Sequence, residues 1–181
     1  MEHALELQSL EWLSQWSTGP GAGPVQHAML AIYRLTGKGM MPVLVGLALM
    51  LLARCRLWAE LTLVAVACGG IFVLVDLVLK PLIERPRPPG ALLLIDGSSF
   101  PSGHAAGAVV FSLVLAAVAS RHRPDHARQA FGLSAGWIAL VGLSTLVVRA
   151  HWPSDVLGGY AVGLAWVTLC LTVWRHRSRR R

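Results

Sequence analysis

The chain has 181 residues, of which 55% are hydrophobic and only 14% charged, against about a quarter charged in a soluble domain. With a mean hydropathy of +0.58, a single compact domain of this size belongs in a lipid bilayer rather than in water. The formal charge of +7 does not indicate nucleic acid, because the arginines gather at the ends of apolar runs and not along one exposed face.

The opening stretch, MEHALELQSLEWLSQW, carries acids and no basic segment, so no secretory signal is read there. Leu5, Leu7, Leu10, Trp12, Leu13 and Trp16 recur at near-helical spacing among polar residues. This predicts a helix lying in the interface with its tryptophans at headgroup level. STGPGAGP breaks it, and a second short helix over 25–35, with Gln26, His27 and Arg34, is expected at or dipping into the same interface. Apolar runs come next at 40–53, 57–82, 102–120, 130–148 and 156–173. Each approaches the ~20 residues of a spanning helix, the first falling short. The expected fold is an all-α polytopic membrane bundle of about five to six spanning helices. Its expected divisions are interfacial helices over 1–36, the bundle over 37–175 and a basic cytoplasmic tail over 176–181. Cys55, Cys68 and Cys170 lie in or beside apolar runs without metal-type spacing and read as small buried residues.

Orientation is set by the arginines. Arg54 and Arg56 share one turn, Arg121, Arg123 and Arg128 share one loop, and five more end the tail. Five alternating spans put all three groups on one side, which the positive-inside rule makes cytoplasmic. The opposite side then receives Lys80, Glu84, Arg85, Arg87, Arg149, His151 and Asp155, with His104 at a helix start. Charges held there against the orientation bias mark a candidate site.

Three clusters make up that face. In LKPLIERPRP, prolines end a helix and stiffen the chain beyond it. Asp76, one turn before Lys80, is placed to pair with it. Taken alone, these cations also read as side chains reaching for headgroups. In FPSGHAAG, Pro101, Ser102 and Gly103 set a turn at a helix start, where backbone N–H groups and the helix dipole favour an anion. In STLVVRAHWPSDVLGG, His151 and Asp155 are four apart, so one helical turn brings them together. A carboxylate on one imidazole nitrogen leaves the other free to attack. Asp155 also suits a helix N-terminus, as does Pro153.

In this order the clusters resemble the signature of the type 2 phosphatidic acid phosphatase family of membrane enzymes, related to vanadium haloperoxidases. KPLIERPRP fits its first motif through Lys80 and Arg87, PSGH its second through Ser102, Gly103 and His104, and HWPSD the end of its third through His151 and Asp155. The likeness covers roughly the second half of the chain. One position departs: Thr145 follows Ser144 where the family has a phosphate-binding arginine. Arg149, two residues before His151, is the candidate replacement.

The resemblance implies a metal-independent lipid phosphate phosphatase that needs no cofactor. His151 attacks phosphorus and forms a phosphohistidine, Asp155 orients it, and His104 protonates the leaving oxygen. Lys80, Arg87 and the backbone at Ser102 and Gly103 hold the phosphate. The expected partners are membrane lipids and a lipid phosphate substrate: phosphatidate, phosphatidylglycerol phosphate, or a polyprenyl phosphate or pyrophosphate. The expected location is a bacterial inner membrane, with the site facing the periplasm. The triplet Leu92–Leu93–Leu94 is open between touching substrate tails and anchoring the loop in lipid. GGYAVG offers small residues four apart for close helix packing. Phosphotransfer to a second lipid, or anionic-lipid binding or transport without turnover, are the alternatives.

Overall fold

In a computed structural model of the protein, the backbone is described over residues 2–18 and 23–179 and the side chains over 4–13 and 23–177. The side chain of Trp16, the break at 19–22 and the end of the basic tail lie outside the described residues. Among the described residues the structure is all helical and has no strand. We number the helices α1 (Glu2–Thr18), α2 (Gly23–Leu35), α3 (Met41–Arg54), α4 (Trp58–Ile83), α5 (Gly103–His122), α6 (Ala127–Val147) and α7 (Pro153–Arg179). The five apolar runs become α3 to α7. Four of these helical stretches are long and apolar enough to cross a membrane, whereas α3 has 14 residues. At 1.5 Å per residue α3 reaches about 21 Å, short of the ~30 Å hydrocarbon layer.

Helix α5 is the central post: half of its most apolar window is buried, against 28–33% in the other three long helices. It can be central because its inner face is built of Ala105, Ala106, Ala108, Val109 and Val110, which let neighbours approach. The core joins Val64, Ala67, Ile71 and Val75 of α4, Val109, Val110 and Val114 of α5, and Val167 of α7. GGYAVG sets the α5–α7 contact. A β-carbon on Gly159 would sit 2.5 Å from the Ser102 carbonyl oxygen, and one on Gly163 3.0 Å from that of Ala106. Outward, Leu47, Met50, Val66, Leu77, Leu133, Leu164 and Leu169 are exposed, as expected of helix faces turned to lipid.

The two ends of the bundle differ in chemistry. At one end Glu60 is buried and lies 3.5 Å from Arg121, whose guanidinium covers Trp174 at 5.1 Å. This end gathers the turns and helix ends that carry the arginines. At the other end α4 finishes, α5 and α7 begin, and the irregular segment 84–102 crosses over them. Glu84 ends α4 in the left-handed region at φ 48°. The segment is then tied down: the Ser99 amide donates to Arg85, the Ser99 hydroxyl and the Trp152 indole both donate to Pro86, and the Leu92 amide donates to Val148. Helix α4 is also not uniform, because Val73–Leu79 is a π-helix. Such turns recur at functional sites, and this one carries Asp76.

Candidate active site

His151 and Asp155 come from the turn that starts α7. Trp152 caps the helix, Pro153 fills its first position, and Asp155 reaches back so that Oδ2 accepts the Trp152 amide at 2.8 Å. Asp155 is fully buried, and its Oδ1 accepts Arg85 Nη1 at 2.7 Å. The His151 ring is 2% exposed. Its Nδ1 lies 2.8 Å from the Ser99 carbonyl oxygen but 3.6 Å from Asp155 Oδ2. The expected carboxylate–imidazole hydrogen bond is therefore replaced by a carbonyl one. A carbonyl only accepts, so Nδ1 carries the proton and Nε2 keeps its lone pair. Asp155 acts on the ring through its charge. Burial pushes the His151 imidazole below its ordinary pKa, with Arg87 and Lys80 acting the same way and Asp155 opposing. The resting ring is neutral, the form a nucleophile needs.

His104 occupies the second position of α5, with its ring centroid 6.2 Å from that of His151. Its Nε2 lies 3.2 Å from the Tyr33 carbonyl oxygen, and its ring stacks on Tyr33 at 4.1 Å. Helix α2 thus reaches the site. Ser102 caps α5, its hydroxyl accepting the Ala105 amide at 3.4 Å. The Ser102 amide donates to the Asp155 carbonyl at 3.0 Å. That N–H is committed to joining α5 to α7, which corrects the expectation that it holds phosphate. The first-turn amides of Gly103 and His104 remain in the helix-end geometry that suits an anion.

Lys80 Nζ donates to Asp76 at 2.8 Å, as their spacing suggests. Arg87 donates to the carbonyls of Ala150 at 2.7 Å, Gly97 at 3.1 Å and Ser98 at 3.2 Å. These partners are neutral carbonyls, and the carboxylates of Asp155, Asp76 and Asp96 act on it only through their charge.

These groups line one end of a cavity of about 710 Å³. That end presents Asp76, Lys80, Arg87, His104 and His151, while Val45, Leu49, Cys68, Phe72 and Phe111 line an apolar end between α3, α4 and α5. A second cavity of about 420 Å³ adjoins it and shares Lys38, Asp76, Lys80, Arg87 and Asp96. The leucine triplet divides its tasks: Leu93 lines the large cavity and packs with Tyr33, while Leu94 projects fully exposed at its rim.

The sequence pattern of the PAP2 superfamily matches residues 58–179, two thirds of the chain, a span that includes Lys80, Arg87, His104, His151 and Asp155. The chain belongs to the PAP2 superfamily. It is 38% identical over 95 residues to phosphatidylglycerophosphatase B of Bacillus subtilis (strain 168), covering 50% of this chain and 47% of that one. It is 39% identical over 77 residues to the non-specific acid phosphatase of Salmonella typhi, covering 42% and 28% of the two. With the lipid A 1-phosphatase of Rhizobium johnstonii it shares 37% over 75 residues, covering 41% and 27%. The chain therefore spans about half or less of the length of these curated relatives. It superimposes on the crystal structure of the transmembrane PAP2 type phosphatidylglycerolphosphate phosphatase from Bacillus subtilis with a TM-score of 0.81, at 26% identity, covering 97% of this chain and 89% of that one. The chain is an integral membrane protein with a PAP2 fold.

Within that PAP2 frame, Thr145 is fully buried on α6 and its hydroxyl donates to the Gly142 carbonyl, so this position brings no cation. Arg149 takes a left-handed backbone, φ 56°, and its guanidinium lies against Gly90, away from both cavities. This corrects its assignment as the replacement. Arg85 stands closer to the chemistry, joining Asp155 at 2.7 Å, Ser154 at 2.6 Å and, from α1, Glu6 at 2.7 Å. It carries a signal that sequence reasoning missed: in an extended segment, residues two apart share a side, which aligns Arg85 with Arg87.

Proposed function

We propose that the protein hydrolyses a membrane lipid phosphate or diphosphate through a phosphohistidine, without a metal or cofactor. The observation that carries this reading is His151: a buried neutral ring, with its Nδ1 proton directed to the Ser99 carbonyl, opening through its remaining nitrogen on a cavity with cations at one end and hydrocarbon-like walls at the other. Such a cavity suits an amphiphile whose phosphate meets Lys80 and Arg87 while its tail stays in the bilayer.

In the first step Nε2 attacks phosphorus in line, the N–P bond forms, and the P–O bond to the leaving group breaks. His104 acts as the imidazolium, its Nε2–H held by the Tyr33 carbonyl, and gives its Nδ1 proton to the departing oxygen, while Asp155 stabilises the charge on the His151 ring. Lys80, Arg87 and the amides of Gly103 and His104 offset charge on the nonbridging oxygens. In the second step His104 takes a proton from water, whose oxygen attacks phosphorus. The N–P bond breaks, returning neutral His151 and free phosphate. The arginines at the opposite end of the bundle favour a site facing out of the cytoplasm, and a bacterial inner membrane is the proposed location.

Phosphate release by the purified protein across a lipid phosphate panel tests this. We expect turnover by wild type, none by His151→Ala, and an acid-labile phosphoenzyme in rapid quench. Phosphate release by His151→Ala at the wild-type rate overturns the assignment, and transfer to a second lipid without free phosphate makes the protein a phosphotransferase.

A further inference from the structure

The chain contains two lysines, and both end on one oxygen. Lys80 Nζ lies 2.8 Å and Lys38 Nζ 2.9 Å from Asp76 Oδ1. They differ in setting. The Lys80 side chain is 12% exposed and that of Lys38 is 72% exposed. Lys38 comes from the turn between α2 and α3 and lines both cavities. The preceding residue, Gly37, packs against the proton donor: a β-carbon there would sit 3.4 Å from His104 Nε2. Lys38 therefore stands where the two cavities meet, beside Lys80 and Arg87.

Charge counting at Asp76 gives this placement a use. Two ammonium groups and one carboxylate leave one net positive charge. With Arg87 this end of the cavity carries two net positive charges, which match a phosphomonoester dianion. A second phosphate on the leaving group adds negative charge that calls for a donor free to change partner, and of the cations lining both cavities Lys38 is the exposed one. Its bridge to Asp76 is exposed, so it is weak and readily exchanged, and its flexible stem carries three donors to a new acceptor. Arg85, by contrast, is fixed to Asp155, Glu6 and Ser154, and Arg87 to backbone carbonyls.

Resting on the phosphatase reading above, we propose that Lys38 is a specificity-determining residue that binds a second phosphate on the leaving group. The substrates it favours are a lipid diphosphate or a phosphomonoester separated by a short polyol from a phosphodiester. A phosphomonoester on an uncharged lipid, such as phosphatidate, makes no use of it.

The test compares wild type, Lys38→Met and Lys38→Arg in the full chain, in detergent, on a prenyl diphosphate, phosphatidylglycerol phosphate and phosphatidate. Loss of one charge-assisted contact lowers kcat/KM by about tenfold or more. We expect Lys38→Met to show this on one or both two-phosphate substrates, mainly through KM, with phosphatidate within about threefold and arginine restoring the difference. Loss on the diphosphate alone or on the phosphodiester alone names the source of the second phosphate. Equal losses on all three substrates, or none on either two-phosphate substrate, overturn the proposal. Binding of inorganic pyrophosphate and orthophosphate, followed by thermal shift, separates this inference from the phosphatase reading. If wild type prefers pyrophosphate and Lys38→Met does not, the inference stands even without lipid turnover. An unchanged preference refutes it.

Discussion

Replacing Asp155 by asparagine separates two jobs that one carboxylate holds. Its Oδ2 accepts the Trp152 amide and lies 3.6 Å from His151 Nδ1. In the proposed attack of His151 on phosphorus the ring becomes cationic. Unit charges that far apart attract by about 5 kcal/mol at an effective dielectric of about 20. Phosphoryl transfer has a loose transition state, so only part of the ring charge has developed there. About a third to a half of the attraction, roughly 2 kcal/mol, is then felt at the barrier. The expected loss in kcat is about 10- to 100-fold. A carboxylate that sets the imidazole tautomer costs about 10,000-fold when neutralised, but here the Ser99 carbonyl holds the Nδ1 proton at 2.8 Å. The assay is kcat for phosphate release at saturating lipid, with thermal unfolding beside it, because Arg85 also loses its anionic partner. A kcat within threefold of wild type reduces Asp155 to a helix cap. A 10,000-fold loss with an unchanged melting temperature transfers tautomer control from Ser99 to Asp155 and refutes the geometry.

Four further outcomes are expected. Burial lowers the His151 pKa, and the neutral ring is the reactive form, so the acid limb of kcat/KM lies below the imidazole reference of about 6.5; half-activity at or above that pH contradicts a depressed pKa. Gly159→Ala places a β-carbon 2.5 Å from the Ser102 carbonyl oxygen and costs about 1–3 kcal/mol by overpacking. Gly46→Ala meets nothing within 4 Å and is the control; equal melting temperatures for the two variants argue against close α5–α7 contact. Arg87→Ala lowers kcat/KM by at least about 100-fold, since removing one charge-stabilising donor costs about 10²–10³. Arg149→Ala leaves KM within about threefold, and a sharp rise in KM returns Arg149 to the phosphate site.

The parts of the site that sequence revealed are those where chemistry is tied to residue type. Lys80, Arg87, His104, His151 and Asp155 stand out because ionisable groups beside apolar runs need a reason, and their spacing matches a known pattern. The long spans were legible because a bilayer demands length and apolarity together. Ser99 and Ala150 were invisible, since each contributes a backbone carbonyl, and any residue has one. Tyr33 and Lys38 escaped notice because only tertiary folding brings the turn after α2 over His104. Arg149 was misplaced by proximity in sequence: its left-handed backbone turns it away from a histidine two residues later.

The π-helical stretch Val73–Leu79 lets one helix keep two alignments. Before it, Val64, Ala67 and Ile71 follow the stripe that packs against the rest of the bundle. After it, Lys80 faces Asp76 and the cavity. The wider turn works as a phase shifter between them, absorbing the mismatch so that neither packing nor chemistry has to yield. Winding the same residues as an ordinary α-helix would rotate everything beyond the stretch by about one residue's turn, roughly 100°. The helix would still be long and greasy enough to span, yet its lysine would point elsewhere. The position of Lys80 in this protein is thus set partly by how tightly a backbone coils several residues away.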